Sequence, residues 1–260
     1  MRLDKQIAIV TGGGQGIGQH IAVRLAKEGA IVVIADINEK GSIETAEMIS
    51  KTSDRKARVI PTDITYEKQV INLVKGTLEI DNRIDILINN SGIMGPIKNI
   101  EDITTAEWDR TMAVNLKGMF FCCKYAAPIM KKQQKGNIVN ISSVVAKRPL
   151  PQRTSYACTK MGVIGFTRSL ATELGQWKIR VNSICPGEVS GPRLDRYFKA
   201  MAEYSGKSES QVIAQRLEVS PLRSFVDPKF IGAMVAFLCS DDAAMITGQD
   251  INVSAGAVMY

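Results

Sequence analysis

The chain has 260 residues, 45% of them hydrophobic, and its 33 basic and 26 acidic side chains give a formal net charge of +7. That is enough apolar material for one substantial core, and no apolar run reaches the roughly 18 residues that a membrane-crossing helix needs. The basic residues are dispersed, the densest cluster being KKQQK at 131–135, and aromatics make up only 6%. Both features argue against a nucleic-acid surface.

Five cysteines, at 122, 123, 158, 185 and 239, lack metal-ligand spacing. They read as reduced thiols in a cytoplasmic protein, with no metal site expected. The start, MRLDKQ, runs directly into a strand-like segment without the apolar stretch of a secretory signal.

In chain order, short β-branched runs fall at 7–10, 31–35, 58–60, 84–88, 137–141, 180–184 and 251–253. Between them lie helical patterns, such as Ile17, Ile21, Leu25 and Ala26 on one face. This alternation predicts an α/β fold: a doubly wound, Rossmann-like parallel sheet of seven strands with helices on both faces. Such sheets bind ligands at the carboxyl ends of their strands. The stretch 188–222, rich in Gly, Pro, Ser and charge, predicts an irregular lid or substrate loop.

Directly after the first strand comes TGGGQGIG, residues 11–18. It is not a Walker loop, because Gly18 is followed by Gln19 and His20, and it does not satisfy strict G-x-G-x-x-G in any register. It fits T-G-x-x-x-G-x-G, with Thr11, Gly12, Gly16 and Gly18. Glycine there lets the backbone approach a pyrophosphate, which the N–H groups of the following helix then face. Gly13 and Gly14 read as loop filler.

The second strand ends in Asp36, 18 residues beyond Gly18. A carboxylate there accepts hydrogen bonds from the adenosine ribose and repels a 2′-phosphate. Neither Gln15 nor Ile37 is basic, so NAD is expected over NADP. His20, the single histidine, reads as structural, and Cys158 as packing.

Taken together, TGGGQGIG, TDIT with Asp63, INNSG at 88–92, VNLKG with Asn115, IVNISS with Ser142 and Ser143, YACTK with Tyr156 and Lys160, and ICPGEV with Pro186 and Gly187 resemble the short-chain dehydrogenase/reductase family. The resemblance covers essentially the whole chain and implies one dinucleotide-binding and catalytic domain over 1–260. It implies an NAD-dependent oxidoreductase that moves a hydride between a secondary alcohol or ketone and nicotinamide. A non-catalytic dinucleotide-binding sensor or scaffold is the alternative.

Around the cofactor the resemblance places Gly12, Gln15, Gly16, Ile17, Gly18, Asp36, Ile37, Asp63, Ile64, Asn90, Gly92, Pro186, Gly187 and Val189, together with Tyr156 and Lys160; Asn89 is also placed at the cleft. Tyr156 and Lys160, four apart, share one helix face. A neighbouring ammonium moves a phenol from its usual range near 10 toward a working acid/base. Ser143, 13 residues before the Tyr, would hydrogen-bond the substrate oxygen, and Asn115 would keep a water in a proton relay through Lys160.

The chain departs from the family where Gly191 stands for a usual Thr and Glu188 for an apolar residue. Substrate contacts are expected from Met94, Pro96, Val145, Arg153, Glu188 and Arg193. One cation among Lys147, Arg148, Arg153 and Arg193 would bind an anionic substrate group, although a neutral polyol, sugar or steroid stays open. The resemblance implies pairing into a homotetramer through long helices expected over 105–131 and 155–174; the apolar stretch FFCCKYAAPIM at 120–130 fits such an interface or core burial.

Overall fold

The computed structural model describes residues 2–260. Seven parallel strands run β1 Ile7–Thr11, β2 Ile31–Asp36, β3 Arg58–Pro61, β4 Ile86–Asn89, β5 Gly136–Ile141, β6 Ile179–Pro186 and β7 Asp250–Val253. They line up in the order β3-β2-β1-β4-β5-β6-β7. Each strand is close to where the β-branched runs predicted it. The register pairs Ala8 with both Val32 and Ile86, and Val10 with Ile34 and Ile88.

Because strand side chains alternate between faces, a sheet covered on both sides needs apolar residues at every position. Ala8, Val10, Val32, Ile34, Ile86 and Ile88 pack on one face, against α1 (Gly16–Lys27) and α9 (Pro228–Cys239). Ile9, Val33, Ala35, Leu87 and Ile138 pack on the other. They meet α3 (Glu67–Asp81), α5 (Gly118–Gln133) and α6 (Thr154–Leu174) through Leu73, Cys123, Met130 and Val163. α2 (Glu39–Thr52) covers the β2–β3 edge and contributes Ile49. No helix among the described residues is long and apolar enough to cross a membrane.

Two expectations are corrected. The long helix over 105–131 is interrupted: α4 (Thr105–Met112) passes into a π-turn at Ala113–Lys117 before α5 begins. The segment 188–222 is not irregular. It folds into two helices, α7 (Pro192–Ser205) and α8 (Glu209–Val219), which close on a small core of Leu194, Phe198 and Val212. The signals were present: Pro192 at the first helical position, apolar Leu194 and Phe198 four apart, and a Ser208–Gln211 capping box. The density of Gly, Pro and charge masked them.

Gly18 has a packing reason to be glycine. A Cβ there would lie 1.9 Å from the Gly12 carbonyl oxygen, where α1 rests against the turn that follows β1. Gly18→Ala is therefore expected to destabilise the fold by about 1–3 kcal/mol through overpacking, read as a lower midpoint in chemical denaturation.

Candidate active site

A cleft of about 950 Å³ opens along the carboxyl ends of the strands. Its first wall is the glycine turn. Gly12 and Gly16 sit at φ +64° and +55°, in the left-handed region that glycine tolerates. Gln15 precedes α1 without making a side-chain cap, and no acidic residue occupies the first turn. The first N–H groups of α1 therefore remain available to an anion.

Asp36 ends β2 and is buried. Its Oδ2 accepts from Gly14 N at 2.9 Å, and its Oδ1 accepts from Asn38 N at 2.9 Å. Gly14 is thus not filler. A Cβ there would press on the Asn38 carbonyl, Ser42 Oγ and the Asp36 carboxylate. None of the residues that the first two βα turns bring to the cleft (Gly12, Gln15, Gly16, Ile17, Asp36, Ile37 and Asn38) is basic. Asp63 and Ile64, after β3, complete this end, the Asp63 carboxylate accepting from Thr65 N and Oγ1.

The middle of the cleft lies between β1 and β4. Thr11 Oγ1 donates to Ile88 O at 3.2 Å and accepts from Asn90 N at 3.0 Å. Asn90 Nδ2 reaches back to Thr11 O and Gly12 O. Asn89 points the other way, into the core, where its Nδ2 donates to Asn140 Oδ1 at 2.8 Å. Consecutive residues of a strand face opposite sides, so Asn90 and Gly92 line the cleft and Asn89 does not. Gly18 also lies behind the surface, in the packing role above.

Ser143, Tyr156 and Lys160 meet beyond β5 and line one stretch of the cleft. Lys160 is buried, with Nζ donating to Ile141 O at 2.7 Å and lying 5.6 Å from the centre of the Tyr156 ring. Burial pushes the Tyr156 phenol up, but Lys160, Arg193, Arg153 and the Ser143 hydroxyl outweigh it and bring it below its usual range. Burial also lowers Lys160. Ser142 is set apart from Ser143 by its bond to the Lys160 carbonyl.

Asn115 sits in the π-turn, where its side-chain amide makes three hydrogen bonds. Its Oδ1 accepts from Ile93 N at 2.7 Å, and its Nδ2 donates to Ile93 O and Thr159 Oγ1. The side chain does not line the cleft; it fixes the loop that carries Gly92 and Met94.

The far end of the cleft is basic. Met94, Val145, Arg153, Glu188 and Arg193 all line it, while Pro96 lies outside. Pro186, Gly187 and Val189 bring β6 to its rim, Val189 bridging to Val226. Glu188 pairs with Arg216 of α8, and Lys147 is withdrawn by an ion pair with Asp250 at 2.6 Å. Tyr197 and Arg216, from α7 and α8, also line the cleft. They were missed because their helices were read as loop.

A family model described as enoyl-(acyl carrier protein) reductase matches residues 12–258. The levodione reductase of Leifsonia aquatica is 33% identical over 98% of this chain and 95% of its own length. The D-β-hydroxybutyrate dehydrogenase of Rhizobium meliloti is 33% identical over 96% of this chain and 97% of its own. Among solved structures, an NAD+-bound xylitol dehydrogenase superposes with a TM-score of 0.95 at 28% identity. That match covers 98% of this chain and 100% of the other.

The three bonds of Asn115 yield a test of its positioning role. Asn115→Ala leaves the Ile93 N–H and C=O without their partner, at a cost of about 1–3 kcal/mol. The expected result is faster hydrogen exchange at the Ile93 amide, read by NMR, together with a lower unfolding midpoint.

Proposed function

The chain belongs to the short-chain dehydrogenase/reductase family, and on that premise we propose that it is an NAD-preferring enzyme interconverting a secondary alcohol and a ketone, with Tyr156 as acid/base. Oxidoreduction of alcohols and ketones with a nicotinamide cofactor is the family's chemistry. The observation that carries the finer reading is the cluster of Ser143, Tyr156 and Lys160 on one wall of a cleft whose opposite end holds Asp36.

The cleft suits a dinucleotide. Gly12 and Gly16 at positive φ allow close backbone approach, the α1 N-terminus is uncapped, and the Asp36 carboxylate at the end of β2 is an acceptor suited to ribose hydroxyls. Gly12, Gly16, Asp36, Gly92 and Lys160 would hold it. A bound nicotinamide supplies or accepts the hydride. Tyr156 takes the proton from the alcohol in oxidation and returns it to the carbonyl in reduction. The positive charge of Lys160 favours the phenolate, and Ser143 Oγ orients the substrate oxygen as charge develops on it. Met94, Val145 and Val189 give the cleft apolar lining beside these groups.

Tyr156→Phe is expected to lower kcat by about 10²- to 10⁴-fold while changing NADH affinity, read by fluorescence titration, far less. Because the Tyr156 phenol lies below its usual range, the phenolate forms at lower pH than in free tyrosine. Alcohol oxidation should therefore rise with pH and level off before pH 10, and carbonyl reduction should fall over the same range. A pH–rate profile checks both limbs. For the cofactor, kcat/KM with NAD+ should exceed that with NADP+, and equal values would sink the Asp36 reading.

The outer faces of α5 and α6, with Phe120 and Met161 exposed, support assembly as a homotetramer. Light scattering on the eluting protein should return four times the chain mass.

A further inference from the structure

The basic end of the cleft holds an unusual group. Arg153 is only 4% exposed, yet its Nε and Nη1 are buried without any hydrogen-bond partner. Its guanidinium carbon lies 4.6 Å from the centre of the Tyr156 ring and 5.7 Å from that of Tyr197. Two aromatic rings attract the faces of a guanidinium, but they do nothing for its in-plane N–H donors. A buried charge with empty donors is strongly unfavourable unless something pairs it.

No partner stands nearby within the protein. Arg193, on α7, also lies over the Tyr156 ring, at 6.0 Å, and buried Lys160 approaches the same ring. Three cations thus surround one phenol. The neighbouring carboxylate, Glu188, is engaged by Arg216. Arg148, Arg153 and Arg193 make no ion pair among the described residues. The unpaired acids of the cleft, Asp36 and Asp63, follow β2 and β3 on the far side of β1.

We propose that Arg153, assisted by Arg193, is the binding site for an oxyanion carried by the substrate, so that the enzyme acts on small hydroxy acids or the matching keto acids. This rests on the hydride-transfer reading above. A planar fork of N–H donors suits a carboxylate, sulfonate or phosphate in bidentate fashion. The Arg153–Tyr156 stacking distance leaves only a few bonds between the reacting carbon and the oxyanion. Tyr197 brings α7 alongside the guanidinium, so the substrate's charge is read where the helical lid meets the catalytic tyrosine.

The test uses the full-length protein with NAD+ and a panel of two- to five-carbon hydroxy acids. Methyl esters of the same acids and the corresponding hydroxysulfonates and hydroxyalkyl phosphates complete the panel and separate the three oxyanions. The acids are expected to exceed their esters in kcat/KM by about 100-fold, and Arg153→Gln should bring that ratio close to one. Arg153→Lys, which keeps the charge but loses the fork, should retain about a tenth of the preference and serves if the Gln variant fails to fold. A second arm follows melting of the NADH complex, in which a hydroxy acid binds but cannot react. The acid should raise the melting temperature of the native protein and not that of Arg153→Gln.

Esters turned over as well as acids, or an acid preference that survives in Arg153→Gln, would overturn the oxyanion site and leave hydride transfer standing. If no alcohol of any kind were oxidised, the hydride-transfer reading would fall. The melting arm would still decide the oxyanion site, which fails if acids do not stabilise the native complex.

Discussion

Everything at this cleft depends on one polar lock at the point where the chain reverses direction across the sheet. β2 and β3 extend to one side of β1, and β4 onward to the other, so the turns after β1 and β4 diverge and leave a crevice. A crevice between two adjacent strands would leave backbone groups at both ends unpaired. Thr11 and Asn90 prevent this: the hydroxyl of one and the amide of the other bridge Ile88 O, Asn90 N, Thr11 O and Gly12 O. The glycine turn on one side and the Gly92 loop on the other are consequently fixed relative to each other. Asn115 then braces that loop from behind through Ile93.

The lock separates two electrostatic territories. Asp36 and Asp63 follow β2 and β3, while the arginines gather beyond β5 and β6. Tyr156 stands in the second territory, where burial and surrounding cations oppose each other in setting its proton affinity. Lys160 adds to this from a place defined by a main-chain carbonyl, that of Ile141 at the end of β5. Helix α6 and strand β5 must therefore be in register for Lys160 to stand beside the phenol. The fold supplies that register through Ser142, whose hydroxyl donates to the Lys160 carbonyl.

Much of this was legible in the sequence because it is local. The strands are runs of β-branched residues, Tyr156 and Lys160 are four apart on one helix, and Asp36 is simply the last residue of β2. What escaped is non-local. Gly14 reads as filler until Asp36, 22 residues on, is seen to accept from its amide. Lys147 and Arg153 are close in sequence, yet one is drawn to Asp250 and the other is buried between tyrosines from two helices. Asn89 and Asn90 are indistinguishable as letters; only the pleat sends one into the core and the other to the cleft. The helices α7 and α8 were lost for another reason: their breaker-rich flanks dominated the composition.

The Gly14–Asp36 hydrogen bond has a consequence for how this protein can change. The carboxylate at the end of β2 also serves as a strut for the loop that precedes α1. A replacement at 36 that lacks an acceptor oxygen withdraws support from the backbone of the glycine turn. A change of side chain at that one position is thus also a change in how the turn is held. Keeping the turn in place calls for a paired change that rebuilds the strut, which ties the turns after β1 and β2 to one another. The basic end, built from side chains on separate helices, is tied instead to the Tyr156 phenol, whose proton affinity Arg153 and Arg193 help to set.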